Sequence, residues 1–341
     1  MYLSMVVFEE CLAEYHPRMT GHSDLIKIKF MGVQEAMEGQ EYLPDHMLLE
    51  HVEYFVSHPV PAAWGCLCIG EPPEDLFKNN ICLIFPENTD RTSLYHDIQK
   101  IFFLYNSWEM EIRKAMQRNA TLEEMCNLCI PIFEKPIFIH DRNNELLAIA
   151  NEMAGQFSWQ YDETFDKYYL PLEILNTFKS SDEYHKTLHT YGAHVFSAKA
   201  TGYRTLYVNL RIEWVYVGRV CLDEIGTPIR KRDYELLEFF ADNIALAMQQ
   251  GMLLVSDVSN VLSILFKEMI DGKSYTKNQL AKPFSYYKWH IDDMFQCITI
   301  FCRKSDNAIH TATNLTHRLA NMFPNSCVFR NEYQIILVLN L

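Results

Sequence analysis

Several residue types that bind small molecules lie on one short hairpin, and their spacing predicts a ligand site. In TLYVNLRI, residues 205–212, polar and apolar side chains alternate, so the polar ones share one face of a strand. A guanidinium pairs with a carboxylate, while a phenol, an amide and an imidazole donate or accept hydrogen bonds. The predicted ligand-binding residues are Tyr207, Asn209, Arg211, Tyr216 and His140. The alternative is that these side chains are simply solvated.

The predicted set depends on how the hairpin of residues 205–224 is paired. If Glu213 and Trp214 form the turn, Tyr216 shares the polar face and Gly218 lies opposite Asn209. The other face is apolar and should pack on two flanking helices: Leu206, Val208, Leu210, Ile212, Val215 and Val217. The aromatic segment 155–190 would cover the polar face and enclose an apolar chamber with a few polar anchors, which is typical of ligand sites.

The cysteines do not have the spacing of a metal or catalytic site. Cys66 and Cys68 form one pair and Cys126 and Cys129 another, whereas a tetrahedral zinc site needs four ligands. Cys126 and Cys129 also fall at core spacing on a predicted helix. The chain has no glycine-rich phosphate loop, nucleophile elbow or His-Glu-x-x-His helix. We therefore predict no metal, no cofactor and no catalytic residue.

Composition excludes several classes of protein. A chain of 341 residues should form two or three domains, because single cores rarely grow beyond about 250 residues. The net charge of −14 disfavours nucleic-acid binding by these residues themselves, since that requires a basic face. The first residues lack the basic region of a signal peptide, and no run approaches the roughly 20 apolar residues of a membrane span. We expect a cytoplasmic protein with reduced thiols and no membrane contact.

Periodicity divides the chain into five segments. Apolar residues recur at three- and four-residue steps from Ser93 to Gln117 and from Met252 to Ile270, which predicts two long helices. Their stripes favour pairing in a homodimer, although docking onto their own domains would produce the same pattern. The predicted α+β segments are an N-terminal α/β domain (1–88), a connector helix (89–119), a mixed-sheet domain flanked by helices (120–250), a second connector (251–275) and a partial domain (285–341).

The last segment reads as strand, helix, strand, strand. It would expose most of its sheet and end on a bare apolar strand, which invites aggregation unless more chain covers it. We therefore expect the natural protein to continue beyond Leu341.

The middle segment resembles a GAF-type sensory domain, on the basis of VYVGRVCLDEIGTPIRKRDYELLEFFADNIALAM: a hairpin with an internal glycine, a loop, and a helix opened by Asp233. The whole chain resembles the front part of bacterial PucR/CdaR-type transcription regulators. This resemblance rests on two stretches, ICLIFPENTDRTSLYHDIQKIFFLYNSWEMEI and ATLEEMCNLCIPIFEKPIFIHDRNNELLA, and on a terminal segment that resembles a degenerate GGDEF (ferredoxin-like) domain. The resemblance implies a cytoplasmic, dimeric regulator that senses a metabolite. It also implies a helix-turn-helix for DNA beyond Leu341.

The terminal hairpin argues against nucleotide cyclase activity. Aligned on the Gly-Gly-Asp-Glu-Phe turn of an active cyclase, this chain has Phe329-Arg330-Asn331-Glu332-Tyr333. Bulky residues replace both glycines and block close approach of phosphate. Asn331 replaces an anionic metal ligand, which a hard cation needs.

The sequence thus predicts the ligand-sensing part of a transcription regulator and not an enzyme. The GAF-like domain would bind a small-molecule effector, and connector helices would pass the change to a DNA-binding domain beyond Leu341. An interaction scaffold without a ligand is the alternative, and a nucleotide cyclase or hydrolase comes third.

Overall fold

The computed structural model describes the following residues: 1–21, 23–35, 41–58, 60–72, 78–142, 144–163, 167–212, 215–249, 260–302, 315–316, 319–320, 322–323, 325–331 and 334–341. The chain is α+β and multidomain, as expected, with several separate sheets. It divides into two compact units: Met1–Leu210 with Gly218–Ala247, and Arg211–Val217 with Met248–Leu341. The boundaries predicted within the first unit, at residues 89 and 120, stay predictions. None of the described helices is long and apolar enough to cross a bilayer.

The N-terminal sheet is mainly parallel. Its order is β2-β7-β6-β5-β4, with β4 to β7 parallel to one another and β2 antiparallel at one edge. β6 and β7 are buried at every position, as expected for parallel strands covered on both faces. A separate pair joins β1 and β3. The elements are β1 Leu3–Ser4, α1 Met5–Cys11, β2 Arg18–Thr20, β3 Lys29–Phe30, β4 Gly32–Glu35, β5 His46–His51, α2 Val52–Ser57, β6 Gly65–Ile69 and β7 Ile81–Phe85.

One long helix, α3, runs from Arg91 to Gln117, two residues earlier than predicted. Asp90 caps it, because its carboxylate accepts the backbone N–H of Ser93 at 2.8 Å. The predicted apolar stripe is buried, and the helix packs on α1, β4 and β5. Since the chain's own residues cover this stripe, the stripe by itself does not indicate a dimer.

The central sheet has the order β12-β13-β14-β8-β9. Between β9 and β12 along the chain, β10 and β11 form a separate two-stranded sheet. Thr121 and Glu124 form the predicted capping box at the start of α4. The elements are α4 Leu122–Asn127, α5 Ile130–Phe133, β8 Ile137–Asp141, β9 Leu146–Ala150, β10 Gln160–Asp162, β11 Lys167–Tyr169, α6 Leu172–Lys179, α7 Asp182–Thr187, β12 Ala193–Phe196, β13 Thr205–Ile212, β14 Val215–Asp223 and α8 Lys231–Gln249.

One face of the central sheet is apolar, as the alternation predicted for β13, whereas on β14 its buried residues, Val220 and Leu222, are not the predicted ones. The buried residues of this face on β13 and β14 are Leu206, Val208, Leu210, Ile212, Val220 and Leu222. On α8 the predicted apolar residues are also fully buried: Leu236, Leu237, Phe240 and Ile244. Gly218 pairs with Asp141 of β8, and a Cβ on Gly218 would lie 2.4 Å from the carbonyl oxygen of His140. A glycine is therefore required where these two backbones approach closely.

The second unit contains a three-stranded antiparallel sheet of order β15-β17-β16. The prediction that the chain ends on a bare edge strand is wrong: β17 lies in the middle and pairs on both sides. Its elements are α9 Asn260–Ile270, α10 Lys277–Tyr286, β15 Phe295–Phe301, β16 Ser326–Asn331 and β17 Gln334–Asn340. α9 ends near Gly272, which has the left-handed φ of 93° common after helix ends. The predicted start of this helix at residues 252–259, and most of the helix predicted at 309–323 (IHTATNLTHRLANMF), lie outside the described residues.

Candidate ligand site

A buried arginine organises the polar face of the central sheet. Arg219 on β14 is only 4% exposed. Its Nε donates to Asn209 Oδ1 at 3.0 Å, and its Nη2 donates to Thr187 Oγ1 at 2.9 Å. The guanidinium carbon lies 4.5 Å from the ring centroid of Tyr207 and 5.6 Å from that of Tyr184. Arg219 is thus held by neutral oxygens and between two aromatic rings, where a cation is favoured.

Asn209 extends this network to the end of α7. Its amide nitrogen donates to the carbonyl oxygens of Thr187 and Thr190, at 2.7 and 3.1 Å. The Tyr207 hydroxyl lies 3.2 Å from Thr190 Oγ1. Two of the predicted residues therefore join β13 to the helix that covers it.

His140 lies on the same face, because it pairs directly with Arg219 across β8 and β14. Its Nδ1–H donates to the carbonyl oxygen of Asp141 at 2.7 Å, which leaves Nε2 as the acceptor. Burial, and then the charge of Arg219, lower the pKa of His140 to about 3. His140 is therefore neutral at physiological pH and offers a buried lone pair beside a cation.

The predicted pairing of Gly218 with Asn209 is wrong by one residue, since Asn209 contacts Arg219. Regular pairing from a two-residue turn at 213–214 would place Asn209 and Arg219 on opposite faces, whereas their side chains are hydrogen-bonded at 3.0 Å and lie on one face. Residues 213 and 214 themselves lie outside the described residues.

The five predicted site residues separate into two groups. Tyr207, Asn209 and His140 come together around Arg219, as described above. Arg211 and Tyr216 belong to the second unit, where the guanidinium carbon of Arg211 lies 6.0 Å from the ring centroid of Tyr216. Their role in ligand binding stays a prediction.

A buried carboxylate lies on the same face of β14, four residues beyond Arg219. Asp223 is 0% exposed. It accepts hydrogen bonds from Gln156 Nε2 at 2.9 Å and from Thr205 Oγ1 at 2.7 Å. Burial raises the pKa of Asp223 to about 6, although hydrogen bonds from Gln156, Thr205 and Tyr203 act in the opposite direction. Neutral donors thus hold an acid whose ionisation is disfavoured.

An aromatic layer covers the face between these two charges. Phe178 of α6 stacks on Tyr184 of α7 with ring centroids 4.6 Å apart, and Trp159 lies 5.3 Å from Phe138 of β8. The buried members of this layer and the sheet residues they contact are Phe138, Leu170, Ile174, Phe178, Phe196, Tyr207 and Cys221. Part of the segment expected to enclose a chamber thus packs directly on the sheet, at Phe157, Trp159, Phe178 and Tyr184.

Arg219 and Asp223 were not among the predicted residues, although the sequence contains a signal for them. In RVCLD, residues 219–223, Arg219, Cys221 and Asp223 alternate with Val220 and Leu222. The predicted polar face ends at Gly218 and does not include this alternation. Gln156 and Thr187 lie in a turn and at a helix end, and nothing in the local pattern brings them to the sheet.

A second buried ionic group lies at the start of α8. Lys135 Nζ lies 2.9 Å from Asp233 Oδ2, and both side chains are 0% exposed. Asp233 also accepts the backbone N–H of Arg230 at 2.8 Å. Burial lowers the pKa of Lys135, and the charge of Asp233 opposes that change. This pair fixes the beginning of α8 to the chain that leads into β8.

Residues of the N-terminal segment also hold α8. The carboxylate of Glu10 accepts the backbone N–H groups of Lys231 and Arg232, at 2.8 and 3.1 Å. The first N–H groups of a helix have no partner within the helix, and this carboxylate accepts hydrogen bonds from two of them. Its negative charge also interacts favourably with the positive end of the helix dipole. The backbone N–H of Ser4 donates to Glu235 Oε1 at 3.2 Å. The N-terminal segment and α8 are therefore joined at several points.

An open groove of about 550 Å³ lies between α3 and the turn that follows α1. It is lined by Glu14, Tyr15, Ser93, His96, Asp97 and Lys100. Asp97 already accepts hydrogen bonds from the Tyr15 hydroxyl at 2.6 Å and from Lys100 Nζ at 2.7 Å. These mutual pairs leave the groove without a clear anchor for a ligand.

Cys126, Cys129 and part of the terminal hairpin are buried in the protein core. Cys126 and Cys129 are fully buried, and burial raises the pKa of both thiols. Within the described ranges, no group of three or more His, Cys, Asp or Glu side chains could hold a metal ion. Phe329 is buried in β16, while Glu332 and Tyr333 of the predicted GGDEF-like turn lie outside the described residues.

Comparison with known proteins gives structural similarities only. No family model matches the chain, and no curated protein sequence matches it. The cofactor-binding GAF domain of the nutrient sensor CodY from Clostridium difficile is 12% identical with a TM-score of 0.31, covering 42% of this chain and 97% of that one. The phycoerythrobilin-bound GAF domain of a cyanobacterial phytochrome is 9% identical with a TM-score of 0.32, covering 42% and 94%. The DhaR(N)–DhaL complex of E. coli is 13% identical with a TM-score of 0.26, covering 70% and 90%. Since each of these three TM-scores is below 0.5, the ligand has to be argued from this chain's own residues.

Proposed function

We propose that this chain is the ligand-sensing part of a cytoplasmic bacterial transcription regulator of the PucR/CdaR type, and not an enzyme. A small molecule binds on the polar face of the central, GAF-like sheet. The observation that carries the proposal is the pair of buried charges on that face, Arg219 and Asp223, beneath an aromatic layer. Burying polar and charged groups costs free energy, and an apolar core of the same volume would be at least as stable. A ligand that uses these groups gives a reason for their presence.

Binding requires the aromatic layer to move. The ligand takes the place of side chains from the segment that includes Trp159, Phe178 and Tyr184. It can shift the equilibrium between covered and open forms only by its differential affinity for the two, typically about 1–3 kcal/mol.

The connection of β14 to α8 offers a route for the signal. A short loop links the two, and Lys135, Glu10 and Ser4 hold the first turns of α8. A movement of β14 therefore reaches the N-terminal segment through fixed contacts. In the proposed regulator, a degenerate GGDEF-like domain in the second unit and a helix-turn-helix beyond Leu341 deliver the response, in a homodimer.

A scaffold without a ligand is the second candidate. It is favoured by the direct packing of the aromatic layer on the sheet and by the hydrogen bonds that Arg219 already makes. In that case the polar network serves to fix one packing arrangement of the core.

Thermal unfolding of the 341-residue chain against a panel of purine-breakdown intermediates, sugar acids and amino-acid derivatives separates the two. A ligand at 100 times its Kd should add about 2.7 kcal/mol of stability. Arg219→Lys, which keeps the charge but loses the planar donors, should abolish the shift. The exposed Arg113→Lys on α3 is the matched control and should keep it. A panel that produces no shift in the wild-type chain favours the scaffold.

A further inference from the structure

We propose that Asp223 binds a protonated nitrogen of the effector, so that the ligand of the central sheet is an organic cation with an apolar or aromatic body. This inference rests on the proposed function and names the chemistry of its ligand. It follows from three features of the surroundings of Asp223: its burial, its neutral partners and the aromatic rings beside it.

The first feature is a charge without a countercharge. Asp223 is 0% exposed, and its side chain is held by Gln156, Thr205 and Tyr203, which are all neutral donors. No ion pair joins Asp223 to a lysine, arginine or histidine among the residues that the structure describes. Buried carboxylates are normally paired. A protonated nitrogen would supply the missing partner.

The second feature is that Gln156 occupies the position of such a nitrogen. Its amide nitrogen donates to Asp223 Oδ2 at 2.9 Å, while its Oε1 accepts the backbone N–H of Met153 at 3.2 Å. Gln156 is half-buried and lies in a bend of the chain. Displacing its amide nitrogen would free Asp223 Oδ2 for the effector.

The third feature distinguishes an organic cation from a metal ion. A metal would need several further oxygen ligands, and the described residues contain no group of three or more His, Cys, Asp or Glu side chains that could hold one. Aromatic rings lie nearby instead. Phe157 directly follows Gln156 and contacts both Phe138 and Trp159, with centroids 6.3 and 5.2 Å apart. Such rings favour the body and the charge of an organic ammonium.

The titratable neighbours of Asp223 do not compete for this role. Tyr203 and Cys221 are titratable side chains that interact electrostatically with Asp223, and burial raises the pKa of both. Both are neutral at pH 7.5, where Asp223, with a pKa of about 6, is ionised and supplies the charge of the site.

The test uses simple probes on the full 341-residue chain. Benzylamine, phenethylamine and tryptamine are compared with benzyl alcohol, a neutral analogue, and benzoate, an anionic one, by thermal shift and calorimetry at pH 7.5. At least one amine should bind 10-fold or more tightly than the alcohol. Asp223→Asn should reduce amine affinity at least 10-fold, and the exposed Glu173→Gln on α6 should leave it unchanged.

A second variant guards against misfolding of the first. Gln156→Lys places a permanent cation beside Asp223, so it should raise the unfolding temperature at pH 7.5 and abolish amine binding. Equal affinity for the amine and the alcohol, or undiminished amine binding by Asp223→Asn, overturns the inference. If metabolites of the wider panel bind but amines do not, the inference fails and the proposed function stands. If neither set binds, both fail.

Discussion

Two aspartates ten residues apart, Asp223 and Asp233, are both 0% exposed, but their partners differ. Asp233 lies 2.9 Å from the ammonium of Lys135 at the start of α8, whereas Asp223 is held by uncharged donors on the sheet. A paired buried charge fixes a structure, since either partner alone would be strongly unfavourable. A buried charge held by neutral donors costs stability in the free protein and is available to a ligand. The comparison separates a structural site from a candidate binding site on one short stretch of chain.

Breaking the paired site should have the largest effect. Lys135→Met removes the nearer cation of the buried Asp233 carboxylate and leaves Arg230, whose Nε lies 3.5 Å from Oδ1, so it should cost up to about 3–5 kcal/mol of unfolding free energy. Urea unfolding followed by circular dichroism measures it. The double variant Lys135→Met/Asp233→Leu removes both charges and should recover much of the loss. Equal losses in the single and double variants would show that the contribution is packing and not charge.

Neutralising Asp223 should raise the unfolding free energy, whereas breaking the Lys135–Asp233 pair lowers it. Because the pKa of Asp223 is raised from 3.8 to about 6, the folded state binds more protons than the unfolded state in that range, and stability falls as pH rises through it. Asp223→Asn removes this cost and should gain up to about 3 kcal/mol at pH 7.5, at 1.36 kcal/mol for each pH unit of the rise. The gain should vanish near pH 4. A gain that does not change with pH would contradict the assignment.

His140 should change stability with pH in the direction opposite to Asp223. Its pKa is lowered to about 3, so the unfolded state binds the extra proton and stability falls as pH drops from 6.5 towards 3. In the Asp223→Asn background, where the opposing effect is absent, His140→Gln should reduce the loss on acidification by at most about 1.4 kcal/mol per pH unit. Unfolding temperatures between pH 7 and 4 test this, and identical slopes would refute it.

The smallest effect should come from a carboxylate that is partly exposed. Glu10→Gln removes the charge that satisfies the first N–H groups of α8 and should cost about 0.5–1 kcal/mol. Glu14→Gln, an exposed glutamate in the following turn, is the control. Differential scanning calorimetry in low salt measures both. If the two variants are equally stable, the Glu10 contact does not stabilise α8.

Local features were predictable from the sequence, and features set by distant pairing were not. The periodicity of α3, the capping box of Thr121 and the apolar face of β13 depend on neighbouring residues, and the structure shows all three. The position of β17 depends on pairing with β15, more than 30 residues earlier, and no local pattern encodes it. Where periodicity is strong but partners are remote, sequence predicts elements better than their order.

The same limit explains the candidate site. Tyr207, Asn209 and His140 could be chosen because strand alternation is local, yet the central residue of the network, Arg219, depends on the register of a hairpin whose turn is ambiguous. A shift of one residue in a strand exchanges its two faces. The covering residue Thr187 comes from a helix end over 30 residues away in sequence, which only the folded chain brings into contact.

The glycine at position 218 has a consequence for how this domain tolerates mutation. A methyl group there would press against the backbone of His140 at 2.4 Å and force β14 away from β8. That displacement would disturb both the histidine and the neighbouring arginine without altering either. In a saturation screen of the central hairpin, position 218 should accept no replacement at all. Even Gly218→Ala should lose the response to the effector while the protein is still expressed.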